Sequence, residues 1–151
     1  MTPLYWLAWS AARMLFRNLF RCRVYHPERV PLTGPVILAA NHESYFDPLF
    51  VGSSLPRSIN YLAREDLFSN RLSGSFLRGL NSVPVDRGGG GARGLKNILE
   101  RLLRGNGIII FPEGTRTSDG EMRSAQAGIG LAIIRSRAPV VPVRVWTYNA
   151  Y

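Results

Sequence analysis

A single α/β domain, with a largely parallel or mixed sheet flanked by helices, is the fold this sequence predicts. Two observations carry the prediction. Short apolar runs, "VILAA" at 36–40 and "GIIIF" at 107–111, have the length and composition of buried strands. Between and after them lie stretches with helical spacing. The clearest is 94–107, where Leu95, Ile98, Leu99, Leu102 and Leu103 share one stripe and a glycine ends it. Strands that alternate with helices favour a parallel sheet.

The elements follow in order. Residues 1–30 read as an N-terminal amphipathic, membrane-associating segment. Its apolar run from Pro3 to Ala12 is interrupted by Arg13 and Arg17, well short of the ~20 residues that span a bilayer. Trp6 and Trp9 sit on the apolar part, and Arg13, Arg17, Arg21 and Arg23 follow. That pattern suits a helix lying in a membrane interface; a terminal helix packed on the domain is the plainer alternative. No basic stretch precedes the apolar run, which argues against a secretory signal. "HPERVPLTGP" at 26–35 is an extended connection. The strand 36–40 leads to a helix at 48–55, with Asp47 as its N-cap and Pro48 at its first position. A second strand is expected over 58–63, one or two short helices over 65–80, and a third strand over 81–86. A glycine-rich loop precedes the 94–107 helix. The strand 107–111, a helix over 128–137 and a last strand over 139–146 complete the series.

Composition narrows the function. The chain has 151 residues, 46% of them hydrophobic, and a formal charge of +9. All but one of its 19 basic residues are arginine, Lys96 being the exception. Arginine grips phosphate and carboxylate with a planar fork, so the charge points to anionic partners. Nucleic acid is a poor candidate, because no helix-turn-helix, RRM or zinc pattern is present. The single Cys22 forms no disulfide framework and no cysteine metal site, and fits a reducing compartment.

Two segments carry chemistry, and both follow strands, where sites of open α/β sheets gather. In "NHESYFDP" at 41–48, His42 and Asp47 would lie about 140° apart on a continuous helix and would not meet. Asp47 precedes proline, which disfavours the helical conformation there. An irregular turn would let the carboxylate reach the imidazole and orient a general base. The alternative is a helix cap beside an unrelated loop histidine. In "FPEGTRT" at 111–117, Pro112 and Gly114 force a tight exit from the strand. Arg116 suits a phosphate, and Glu113 either pairs with it or accepts from a substrate hydroxyl; the alternative is an ordinary turn in which the two form a surface ion pair of little worth. Arg64 and Arg87 stand at the ends of two further strands. The glycine run at 88–91 lacks the Lys-Ser/Thr of a phosphate-binding P-loop, and there is no G-x-S-x-G nucleophile.

Together these blocks resemble the glycerolipid acyltransferase family, whose known members include 1-acyl-sn-glycerol-3-phosphate acyltransferases. "NHESYFD" looks like the family's His-x4-Asp block, "VPVDR" like its second, "FPEGTRT" like its third and "VVPVRV" like its proline-bearing fourth. The resemblance implies a phospholipid/glycerol acyltransferase domain over 34–151, short at its C-terminus relative to the family. It implies that His42 deprotonates an acceptor hydroxyl and that Asp47 orients it. It also implies that Arg64, Arg87, Glu113, Gly114, Thr115 and Arg116 line the acceptor's glycerol phosphate site. The co-substrate would be an acyl thioester of coenzyme A or acyl carrier protein, with no metal and no separate cofactor. The product would be phosphatidic acid, and the setting a peripheral or monotopic position on the cytoplasmic face of a membrane. Two alternatives are another lysolipid or glycerol acceptor and a non-catalytic lipid-binding remnant. Oligomeric state is left open. One departure is "AQAG" at 125–128, where many members carry an aromatic-lysine pair before the glycine.

Overall fold

The computed structural model describes residues 2–85, 92–117 and 121–146. The strands are β1 (Val36–Ala40), β2 (Ile59–Arg64), β3 (Ser82–Val85), β4 (Gly107–Ile110) and β5 (Val140–Val143). The α-helices are α1 (Pro3–Met14), α2 (Asp47–Ser54), α3 (Arg71–Gly79), α4 (Ala92–Leu103) and α5 (Ala127–Ser136). The strands form one five-stranded sheet in the order β3-β2-β4-β1-β5, and each pairing is parallel.

Period-two alternation divides the core into two layers. Val36 and Leu38 of β1 pack with Ile109, Val51, Leu55 and Ile59 on the α2 face. Ile37 faces the other way and meets Ile108, Ile110, Ile98, Leu102 and Ala132 under α4 and α5. Near-continuous Val/Ile/Leu in β1 and β4 is what a strand covered on both faces requires.

The topology creates the site. After β1 the chain passes over β4 to reach β2; after β4 it passes over β1 to reach β5. The loops leaving these two adjacent strands therefore part in opposite directions. β1 and β4 run in register from Val36↔Gly107 to Ala39↔Ile110, so both loops start at the same level. Such a switch point opens a crevice at the carboxyl ends of the strands.

The N-terminal helix is fastened to the domain. Thr2 caps it by accepting from Tyr5 N, with Pro3 in its first turn. The Tyr5 hydroxyl accepts from Ile59 N (3.0 Å), the Trp9 indole donates to the Leu55 carbonyl (3.2 Å), and Arg13 donates to the Ser53 carbonyl (3.0 Å). Its other side leaves Trp6, Leu7 and Met14 exposed, and the helix runs on into a wide π-turn at Leu15–Leu19. Among the described residues, no helix is long and apolar enough to cross a membrane.

Several boundaries differ from expectation. Asp47 is the first residue of α2 and does not cap it; the cap position is Phe46, which makes no side-chain cap bond. The 26–35 connection contains a short 3-10 turn at Pro27–Arg29. It is pinned by Arg57, which donates to the Pro31 and Gly34 carbonyls. The last strand stops at Val143, because the backbone of Val145 is engaged by a side chain of the site. Arg87, the glycine run at 88–91 and Tyr151 lie outside the described residues.

Candidate active site

The loop after β1 turns back on itself around one carboxylate. Asp47 Oδ2 accepts from Glu43 N (2.8 Å), Ser44 N (2.7 Å) and His42 Nδ1 (3.0 Å). This is why Asp47 is not a helix cap: its acceptor oxygen faces the preceding loop, not the helix amides. Asp47 is only 3% exposed. Burial pushes its carboxyl up, but the hydrogen bonds from His42, Ser44 and Glu43 outweigh burial and hold it below the ordinary carboxylate range. An ionised Asp47 only accepts, so Nδ1 of the neutral imidazole carries the proton and the Nε2 lone pair is left to act as a base.

The loop after β4 holds His42 from the other side. Glu113 Oε1 accepts from His42 N (3.2 Å), and Thr117 N donates to the His42 carbonyl (2.9 Å). Both backbone polar groups of His42 are thus bound by residues of the neighbouring loop. The imidazole also stacks on Phe111, with centroids 4.0 Å apart and planes inclined by 22°. Buried Glu113 uses its second oxygen to accept from Arg123 N. It pairs with backbone, not with Arg116. Gly114 closes the turn at φ +69°, a region that favours glycine, and its amide donates to the Phe111 carbonyl. The Gln126 carboxamide fills the space a Cβ would need at Gly114.

A third segment joins the clasp. Asn41, 6% exposed, donates from Nδ2 to the Val145 carbonyl (2.8 Å) and accepts from Val145 N at Oδ1 (2.7 Å). Its carboxamide satisfies the backbone that a longer β5 would have paired. The same Nδ2 donates to Glu43 Oε1 (2.8 Å).

The arginines divide. Arg116 is exposed and lays its guanidinium over the Tyr45 ring, 3.4 Å from the centroid. Arg64 stands at the end of β2, where its fork is occupied by Asp66 through Nε (3.0 Å) and Nη2 (2.5 Å). Thr115 is exposed between Gly114 and Arg116. The structure therefore brings together His42, Asp47, Glu113 and Gly114. It sets Arg116 beside them on the same pair of loops and ties Arg64 to a different carboxylate.

The family model described as Acyltransferase matches residues 21–146. The chain belongs to this acyltransferase family. It is 35% identical over 127 residues to a 1-acyl-sn-glycerol-3-phosphate acyltransferase of Bacillus subtilis, covering 80% of this chain and 60% of that protein. It is 27% identical over 112 residues to a lyso-ornithine lipid O-acyltransferase of Pseudomonas aeruginosa, covering 74% of this chain and 43% of that protein. The crystal structure of PlsC, the 1-acyl-sn-glycerophosphate acyltransferase of Thermotoga maritima, superposes with a TM-score of 0.74 at 26% identity. That match covers 92% of this chain and 58% of the other. The chain thus spans 60% of the first relative's length and less of the second's.

Sequence reasoning about this family member missed Asn41, Tyr45, Phe111 and Thr117. Asn41 carries a readable signal, an amide side chain at the end of a buried apolar strand, where its polar atoms need partners. The contacts of Tyr45, Phe111 and Thr117 depend on the pairing of β1 with β4, which no local pattern states.

An uncharged cavity of about 270 Å³ lies between α1, α2, α3 and β2, lined among others by Trp9, Pro48, Leu49, Tyr61 and Leu77. Burial pushes the Tyr61 phenol well above its ordinary range, so it stays neutral. Pro48 places one wall of the cavity directly after Asp47 in the chain.

Proposed function

We propose that this chain moves a fatty acyl group from an acyl thioester to the free hydroxyl of 1-acyl-glycerol 3-phosphate, giving phosphatidic acid. The observation that carries the reading is the buried His42–Asp47 pair, 3.0 Å apart, on the loop that also stacks against Arg116. Nε2 of His42 takes the acceptor's hydroxyl proton as the oxygen attacks the thioester carbonyl. The C–S bond breaks, and the proton held on the imidazole returns to the departing thiolate. Asp47 stabilises the imidazolium between these steps. The acceptor is its own nucleophile, so no acyl-enzyme is required.

Arg116 supplies the phosphate grip through its N–H fork. The donor is an acyl-coenzyme A or an acylated carrier protein, and the cavity beside Pro48 suits an apolar chain. The exposed side of α1 and the π-turn, with Trp6, Leu7, Leu15 and Leu19 beside Arg17, Arg21 and Arg23, suits the surface of a membrane. The cytoplasmic face is the side on which a thioester donor would be available.

Purified protein assayed with 1-acyl-glycerol 3-phosphate and each donor type tests the reading. Acyl transfer is expected, and His42→Ala is expected to abolish it while the fold persists. Wild-type turnover in that variant would remove His42 from the mechanism. A second reading, acylation of another lysolipid hydroxyl, is favoured by Gln126, which leaves the site without the lysine many family members carry nearby. An acceptor panel with one donor separates the two.

A further inference from the structure

The guanidinium of Arg116 is held differently from those of Arg57, Arg64 and Arg93. Arg64 spends its fork on Asp66, Arg57 spends two N–H groups on carbonyls, and Arg93 pairs with Glu65. Arg116 is held by its face. Its Cζ lies 3.4 Å from the Tyr45 ring centroid, and among the described residues no carboxylate pairs with it. Stacking uses the π surface of the guanidinium and leaves its N–H edge open. The plane is thereby oriented without consuming the donors that a phosphate would need.

Tyr45 is itself well placed to do this. Its neighbours are tied down on both sides: Ser44 N and Asp47 Oδ2 are bonded, Phe46 N donates to Ser44 Oγ, and Asp47 N donates to the Ser44 carbonyl. Tyr45 nevertheless is 76% exposed as a residue, so it contributes little to the core. On the partner loop, Thr117 N anchors the residue after Arg116 to the His42 carbonyl. Both members of the stack therefore lie next to the hydrogen bonds that fix the histidine. A single tyrosine in the catalytic loop thus couples the position of the anion grip to that of the base.

We propose that Tyr45 is a positioning residue that orients Arg116 toward the acceptor's phosphate, and so selects phosphate-bearing acceptors over neutral ones. The proposal rests on the acceptor reading above for its kinetic consequence, but the anion preference is measurable without turnover. An exposed stack of this kind is worth about 0.5–1 kcal/mol, which corresponds to a factor of roughly two to five in affinity.

The test is calorimetric binding of short-chain 1-acyl-glycerol 3-phosphate and of the matching monoacylglycerol to wild type, Tyr45→Phe and Tyr45→Leu. The expected result is a two- to fivefold weaker phosphate-bearing ligand for Tyr45→Leu only. Tyr45→Phe keeps the wild-type value, because the ring is retained, and the neutral ligand is unaffected by either change. In turnover the same variant raises acceptor KM by that factor with kcat within twofold. Circular dichroism is expected to show both variants folded, as the ring is outside the core. The proposal is overturned if Tyr45→Leu binds the phosphate ligand as wild type does, if both ligands weaken equally, or if Phe behaves as Leu. It is also overturned if wild type does not prefer the phosphate ligand. Absent acyl transfer with an intact binding pattern would sink the proposed function and leave the positioning role standing.

Discussion

His42–Asp47 and Tyr45–Arg116 both draw on the loop at 41–47, yet they are built on opposite terms. The first pair is buried, with side chains 12% and 5% exposed, and is held by directional hydrogen bonds. The second lies in solvent and is held by a stack. A proton-transfer group needs one tautomer and one distance, which a buried ionised acceptor supplies. An anion-binding group needs its donors unspent and within reach of a diffusing ligand, which an exposed stack allows. In the proposed roles, one loop of seven residues serves both needs because Asp47 folds it into a turn whose inside is polar and whose outside is aromatic.

The largest effect should come from the inside of that turn. Asp47→Asn exchanges an ionised acceptor for a carboxamide that no longer stabilises an imidazolium. A kcat loss of about 10²–10⁴ is expected, with acceptor KM within a few-fold. The same variant has a signature in stability. The Asp47 carboxyl titrates lower in the folded chain than its ordinary 3.8, so its contribution is fully present above that value. It is lost as pH falls through the folded-state value. The stability gap between wild type and Asp47→Asn should therefore be constant near neutrality and close below about pH 4. Thermal unfolding across that range measures it; a gap that widens in acid contradicts the assignment of charge.

Glu113 should give an intermediate effect, and it decides between two roles. As a wall of the acceptor site, its loss would raise acceptor KM. As the structure places it, its oxygens hold His42 N and Arg123 N, so its loss should move the histidine. Glu113→Gln keeps one acceptor for two amides. A kcat loss near tenfold and a destabilisation of about 1–3 kcal/mol are expected, with little change in KM. A pure KM effect would return Glu113 to the substrate-lining role.

Legibility in the sequence followed the range of the interactions. "VILAA" and "GIIIF" announced their strands because a doubly covered strand needs an unbroken apolar run. The His42–Asp47 meeting was foreseeable as an option, since Pro48 makes a continuous helix unfavourable before it. The cap role assigned to Asp47 was not realised, because three donors in the loop outcompete the helix amides for its carboxylate. Val145 leaving the sheet was not foreseeable at all: its partner, Asn41, is 104 residues away. Arg64 and Arg116 looked alike as strand-end cations. Only Asp66, two residues after Arg64, distinguishes them locally, and Tyr45 was readable as an aromatic but not as the base of a stack.

The smallest predicted effect separates the two pairs with salt alone. The proposed attraction between exposed Arg116 and a phosphate is open to screening, which acts over about 10 Å at 0.1 M and about 3 Å at 1 M. The buried His42–Asp47 pair is shielded from mobile ions. Raising salt from low to high concentration with a soluble short-chain acceptor should therefore raise KM by about two- to fivefold. It should leave kcat nearly constant, and a neutral monoacylglycerol acceptor should show neither change. A soluble acceptor matters here, because salt would also weaken any contact between the arginines that follow α1 and an anionic bilayer. If kcat fell with salt in step with the rise in KM, the proton-transfer pair would be as open to solvent as the anion grip. The division of the loop into a buried inside and an exposed outside would then not hold in solution.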